Sequence, residues 1–180
     1  GAGFMLTEIS LLQRLTYFLG EPVLALAVLL SGLLVCMGVG SLLTRWIPEK
    51  RSRQALCVTA LAVAAVIALY TVALPGWLSA WISGGLAARI VVALAIIVPL
   101  GVVLGCPFPI ALHMLHQNGH AWTVPWMWAL NGIFSVTGAC AAVVVAMLYG
   151  LDQVLQAAAA AYLLLALVAL FPGAHNKHYT

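Results

Sequence analysis

Long apolar runs separated by short links are the feature of this 180-residue chain that most restricts its fold. Hydrophobic residues make up 65% of the sequence and charged residues 6%, so most of the chain is suited to lipid rather than water. An unpaired backbone amide costs several kcal/mol in a bilayer, which leaves helices and closed barrels as the structures that can span it. The runs have the length of a spanning helix, about 20 residues, and do not alternate, so we predict an all-α integral membrane protein.

The runs form a single polytopic membrane domain, residues 1–180, in which we expect a bundle of four complete transmembrane helices plus one partial N-terminal membrane helix. The partial helix is the first run, which polar residues interrupt and which ends at Gly20-Glu21-Pro22. Glycine commonly stops a helix, and proline suits the first turn of the next one. The predicted helices cover residues 3–19, 22–44, 54–74, 86–105, 125–149 and 152–171.

The two longest links begin with proline-containing strings. The link 75–85 begins with Pro75-Gly76 and contains two tryptophans and no charge, which is typical of a short turn at the level of the lipid headgroups. The stretch 106–124 begins with Cys-Pro-Phe-Pro, and we predict a loop there because proline interrupts a helix.

Basic residues predict the orientation, because they are enriched on the cytoplasmic side of membrane proteins. Four of them lie in the link 45–53, so we expect this link, the 106–124 loop and the C-terminus with Lys177 to be cytoplasmic. Arg89 lies near the opposite end, and its long stem allows the charge to reach the interface. The net charge of +3 is too small for a nucleic-acid surface, and we expect no nucleic-acid partner.

Glu8 and Arg14 are the costliest residues of the first run, because a charge deep in the bilayer is disfavoured by at least ~2.5 kcal/mol. They are separated by about 9 Å along a helix axis and roughly 240° around it, so they cannot pair with each other. Each needs a partner on another helix or a water-filled cavity. The pair indicates either a polar site or ion path, or charges that hold helices together or lie near the interface.

Three histidines, His113, His116 and His120, have spacings of three and four residues that would align them on one helical face. Such a cluster could bind a metal ion, or one member could ligate a haem. However, the neighbouring Pro109 and Gly119 indicate a loop, and no carboxylate is near. We interpret the histidines as interfacial polar residues and expect no metal ion or cofactor.

Small residues at helical spacing predict close helix packing. One such face on the fourth span consists of Asn131, Ser135, Gly138 and Ala142, where the amide could bond across the interface. The same spacing recurs in two further sets, which are Gly32, Cys36 and Gly40, and Gly101 and Gly105. The chain has no phosphate-binding loop, GxGxxG, HExxH or nucleophile elbow, so we predict no catalytic residue.

Five separated strings carry a family resemblance. They are GFMLTEISLLQR (3–14), FLGEP (18–22), GVGSLL (38–43), GCPFPIAL (105–112) and PWMWALNGIFSVTG (125–138). In order and spacing they resemble the C-terminal membrane region of the spermidine synthase-like multi-pass membrane proteins of bacteria, over nearly the whole chain. The resemblance implies the bacterial inner membrane as the location.

The resemblance also implies a polar intramembrane set, which consists of Glu8, Gln13, Arg14, Trp126 and Asn131. In that family an aminopropyltransferase-type domain usually precedes the membrane region, and none of its catalytic residues lies in these 180 residues. Whether the chain belongs to an enzyme is therefore open, since such activity would need that domain. Gly1 is not an initiator methionine and no basic segment follows it, so we expect the chain to be the tail of something longer or a processed protein.

Three functions remain open. The first is an anchor or packing subunit whose partners are the lipid bilayer and other membrane subunits or a missing N-terminal part. The second is a transporter-like module in which Glu8, Arg14 and Asn131 line a path for a small polar or cationic solute such as a polyamine. The third is a small subunit of a redox, cytochrome-containing membrane complex.

Overall fold

The computed structural model describes residues 1–117 and 119–170, and these residues contain helices and no strand, which confirms the all-α class. Single 3₁₀ turns lie at Thr44–Trp46, Glu49–Arg51 and Ala121–Thr123. The α-helices are α1 (Ala2–Leu19), α2 (Pro22–Leu43), α3 (Ser52–Trp81), α4 (Leu86–Leu104), α5 (Pro107–Gln117), α6 (Val124–Tyr149) and α7 (Leu151–Leu170).

Five helical segments of the described residues are long and apolar enough to cross a bilayer, and they indicate a multi-pass membrane protein. The predicted count of four complete helices is therefore one too low, because every run after the first meets the requirement of length and composition. The five segments are Pro22–Trp46, Ser52–Trp81, Leu86–Gln117, Ala121–Tyr149 and Leu151–Leu170. The predicted cytoplasmic C-terminus with Lys177 lies outside the described residues.

The predicted stop at residue 74 is wrong, since α3 continues through Pro75 to Trp81. Proline removes one backbone donor, but its fixed φ angle is helical, and packing against neighbouring helices tolerates the missing bond in a spanning helix. The turn between α3 and α4 is thus much shorter than the predicted link 75–85.

The predicted loop 106–124 is also wrong, because it contains the 11-residue helix α5. Pro107 and Pro109 lie in the first turn of α5, where backbone amides have no partner within the helix and proline costs nothing. His113 and His116 are therefore helical residues rather than loop residues.

The helix α1 is less apolar than the other long helices but packs against four of them, α2, α4, α6 and α7. Leu11, Leu15 and Phe18 on this helix are 1% exposed or less. Its buried hydroxyls have partners as well. Thr7 donates a 2.8 Å hydrogen bond to the Gly3 carbonyl, and Ser10 donates one of 3.2 Å to the Leu151 carbonyl of α7. Protein rather than lipid therefore surrounds much of the helix with the most polar side chains.

The bundle has two distinct ends. We call the end with the exposed residues Arg45, Lys50 and Arg51 the basic end. The other end, the turn end, holds the short turns that join α1 to α2, α3 to α4 and α6 to α7. Side-chain contacts agree with this division, because Arg53 at the start of α3 bonds the Ala169 carbonyl near the end of α7.

All six tryptophans lie close to the ends of the bundle and are exposed, between 45% for Trp77 and 82% for Trp46. Those of the basic end are Trp46, Trp122, Trp126 and Trp128, and those of the turn end are Trp77 and Trp81. Indole rings prefer the headgroup region, so the two groups mark the expected levels of the membrane surfaces.

The helices α2 and α4 approach each other closely through the small residues predicted for packing. A Cβ atom at Gly40 would overlap the Val102 carbonyl oxygen, and one at Gly105 would overlap the backbone of Met37. A Cβ atom at Gly101 would lie 2.6 Å from that of Cys36. The predicted role of these small residues is confirmed, because only glycine allows the two backbones to approach this closely.

We expect Gly40→Ala to destabilise the protein by about 1–3 kcal/mol, because the added methyl group forces α2 and α4 apart. Gly38→Ala is the matched control, since a Cβ atom at Gly38 has nothing within 4 Å. Unfolding in mixed micelles of increasing denaturing detergent measures both variants. Equal stability of the two would contradict the described α2–α4 contact.

Candidate functional site

Arg14 has a partner on another helix, which is one of the two alternatives that the sequence leaves open for it. Its guanidinium forms an ion pair with the carboxylate of Asp152, in the first turn of α7. The Arg14 side chain is 11% exposed and that of Asp152 is 55% exposed, so the pair lies at the edge of the turn end. The N-terminal end of a helix also favours the negative charge of Asp152. The charge of Arg14 is thus compensated where the bundle meets its surroundings rather than at its middle.

Arg14 and Gln13 line a groove of about 340 Å³ at the turn end, which we call the Arg14 groove. Its other walls are mostly apolar and come from α1, α3 and the start of α7, and they include Tyr17, Pro75 and Leu151. The Nε atom of Arg14 is buried and has no hydrogen-bond partner among the described residues. A buried donor beside an apolar groove can bind a polar group, but the groove contains no nucleophile paired with a base.

Glu8 is only partly buried and does not line the Arg14 groove. Among the described residues it has neither a hydrogen bond nor an ion pair with another side chain. It lies between the buried residues Thr7 and Ser10, far from the turn end at which Arg14 is held. Glu8 and Arg14 therefore do not form one site.

Asn131 and Trp126, the two candidates on α6, are also separate from Arg14. The Asn131 carbonyl lies against Gly1 and accepts a 2.7 Å hydrogen bond from the Ser135 hydroxyl. Further along α6, Gly138 packs against the backbone of Ala2. Trp126 is 66% exposed at the basic end. The predicted small-residue face of α6 thus contacts the start of α1, while the polar candidates lie at different depths.

The histidines His113, His116 and His120 are all exposed. Within the described part of the chain, no group of three or more His, Cys, Asp or Glu residues is placed to hold a metal ion. His113 and His116 share α5, whereas His120 follows it and donates its backbone amide to the Leu115 carbonyl. The structure thus places them at the surface of the basic end.

Two charged residues, Asp152 and Arg89, have roles that the sequence pattern does not show. Asp152 is not among the predicted candidates, although the chain offers few acids that could pair with Arg14. Arg89 donates a 3.0 Å hydrogen bond to the Phe18 carbonyl, so it caps the C-terminal end of α1 instead of only reaching the interface. Both roles depend on which helices are neighbours, which spacing along the sequence does not show.

The chain matches no family model, no curated protein and no solved structure.

We expect the Arg14–Asp152 pair to contribute no more than about 1 kcal/mol to stability, because Asp152 is 55% exposed and the charge is screened. A double-mutant cycle with Arg14→Gln and Asp152→Asn measures this coupling in unfolding experiments. In a second cycle Glu21→Gln replaces Asp152→Asn, since Glu21 is an exposed acid of the same end. Coupling of equal size in both cycles would contradict a specific pair.

Proposed function

We propose that the chain is a membrane-embedded helical module, resembling the transmembrane part of spermidine synthase-like proteins, that serves as an anchor or packing subunit of a larger membrane assembly. The observation that carries this proposal is that the polar candidate residues lie in separate parts of the bundle. Arg14 is paired at the turn end, Asn131 lies beside the start of α1, and the histidines lie at the basic end. Such an arrangement supports helix association better than transport or chemistry.

The residues that line the cavities of the bundle give further support to this proposal. The cavities of the described part of the chain include four of about 320–420 Å³. Arg14 lines one of these, whereas Glu8 and Asn131 line none of these four. A path for a polar solute would need these side chains along one cavity. The interior contacts instead consist of apolar and small residues, which make a stable anchor.

Glu8 indicates where a partner would supply a hydrogen-bond donor. A partly buried carboxylate without a partner is costly in an apolar setting and is stabilised by a donor from elsewhere. In an assembly, a neighbouring subunit or a preceding part of the protein would supply that donor.

We expect Glu8→Gln to weaken the assembly about tenfold, which corresponds to the loss of about 1.4 kcal/mol of interaction with a partner group. The mass of the complex extracted from native membranes in mild detergent, followed over a dilution series, measures this change. Glu21→Gln is the control, because Glu21 is an exposed acid in the α1–α2 turn.

The same variants also test transport. On our proposal, liposomes containing the native chain take up spermidine no faster than liposomes without protein. Spermidine uptake by the native chain that Glu8→Gln abolishes would establish the transport alternative instead. Complexes of unchanged mass and affinity for Glu8→Gln would contradict the role of Glu8 in assembly.

We further propose that the basic end faces the cytoplasm of a bacterial inner membrane. Arg45, Lys50 and Arg51 are exposed there, whereas the two arginines of the turn end are bonded to Asp152 and to the Phe18 carbonyl. Basic residues near membrane surfaces set the orientation of multi-pass proteins, which supports this assignment.

In cells, we expect a membrane-impermeant maleimide to label Glu21→Cys and not Lys50→Cys, in a background whose native cysteines are replaced by alanine. Lys50→Cys should react only after the membrane is permeabilised, because it lies on the inner side. The reverse pattern would invert the proposed orientation.

A further inference from the structure

A second groove, of about 330 Å³, lies at the basic end and is not explained by the proposed anchor role. It is formed where the end of α2, the start of α3 and α5 meet. We call it the Arg45 groove. Its lining includes Thr44, Arg45, Ser52, Pro109, Ile110 and His113.

The Arg45 groove is lined by cationic or polar groups and by apolar groups. Arg45 and His113 are both exposed and reach it from different elements, the turn after α2 and helix α5. Pro109 and the buried Ile110 supply the apolar wall. A ligand that fits these walls has an anionic group joined to an apolar body.

The charge around the Arg45 groove is strongly positive. Lys50 and Arg51 are exposed in the same link, in which Glu49 is the single acid of the sequence 45–53, and α5 contains no acid. Ser52 in the lining is the first residue of the 30-residue helix α3, whose N-terminal end carries a partial positive charge. Both effects favour an anion in the groove.

The aromatic residues nearby indicate the level at which the Arg45 groove lies relative to the membrane surface. Trp46, adjacent to Arg45, is 82% exposed, and Trp128 packs edge-on against Phe108 of α5 with the ring centres 4.8 Å apart. Exposed indole rings mark the headgroup level of the membrane. At that depth the anionic groups that a bilayer supplies are the phosphates of its lipids.

We propose that the Arg45 groove binds the headgroup phosphate of an anionic phospholipid, with Arg45 and His113 as its donors and Pro109 and Ile110 against the glycerol and upper acyl region. Arginine presents several donors in a plane that matches phosphate oxygens. Basic pockets between transmembrane helices on the cytoplasmic side are suited to such headgroups. This site is independent of whether the chain acts as an anchor or a transporter.

The test is a titration of the full purified chain with phosphatidylglycerol or phosphatidylcholine in detergent, with bound lipids counted by native mass spectrometry. We expect one phosphatidylglycerol to bind in preference to phosphatidylcholine, and Arg45→Gln to weaken that binding by about tenfold or more, as the loss of a charged hydrogen bond predicts. His113→Gln should weaken it in the same direction. Arg45 is exposed, so circular dichroism of the variant should show unchanged helix content.

Lys50→Gln is the matched control, because Lys50 is an exposed cation of the same end that does not line the Arg45 groove. We expect it to change phosphatidylglycerol affinity by less than about twofold. An equal loss for Lys50→Gln and Arg45→Gln would replace the site with a diffuse surface attraction and overturn the proposal. Displacement of the bound lipid by inorganic phosphate at equal concentration would assign the groove to free phosphate and also overturn it.

Discussion

The fold of the bundle depends on hydrogen-bond and ion-pair partners for the polar groups that lie where water is excluded. Helix α1 brings two buried hydroxyls, a glutamate and an arginine among apolar residues, and it packs against α2, α4, α6 and α7. Its hydroxyls bond to backbone carbonyls, and Arg14 reaches Asp152 at the edge of the bundle. With protein on several sides of α1, the remaining helices can present apolar surface to lipid, as the exposed apolar residues of α2 and α6 do.

The three arginines with described partners share one principle, since each is held at the end of another helix. Arg53 and Arg89 donate to carbonyls near the C-terminal ends of α7 and α1, and Arg14 pairs with an acid at the N-terminal start of α7. The C-terminal ends of helices carry unpaired carbonyls and a partial negative charge, which Arg53 and Arg89 complement. At the N-terminal start of α7, the negative charge of Asp152 is favoured, and Arg14 pairs with it. These contacts also fix which helices are neighbours. The cations Arg45, Lys50 and Arg51, in contrast, are exposed.

Some of the site could be predicted from sequence and some could not. The need of Arg14 for a partner followed from its cost in lipid, but Asp152 was not recognised as that partner because 138 residues separate them. The spacing of His113 and His116 was helical, yet the prolines before them were interpreted as a loop signal although they fit a first helical turn. Likewise Pro75 was interpreted as a stop, because the packing that supports α3 beyond it is not visible in the sequence.

The sequence by itself determined the helical class, the positions of the long apolar helices and the small residues of the α2–α4 contact. These properties follow from hydrophobicity and side-chain size, which each residue carries wherever it lies. Only the tertiary structure decided that the least apolar helix packs against four others, that Arg14 and Asp152 meet, and that Arg45 and His113 share a groove. Those relations depend on which helices are neighbours. Several arrangements of apolar helices bury a similar area of surface, so burial alone does not choose between them. Specific contacts between the helix ends select one arrangement.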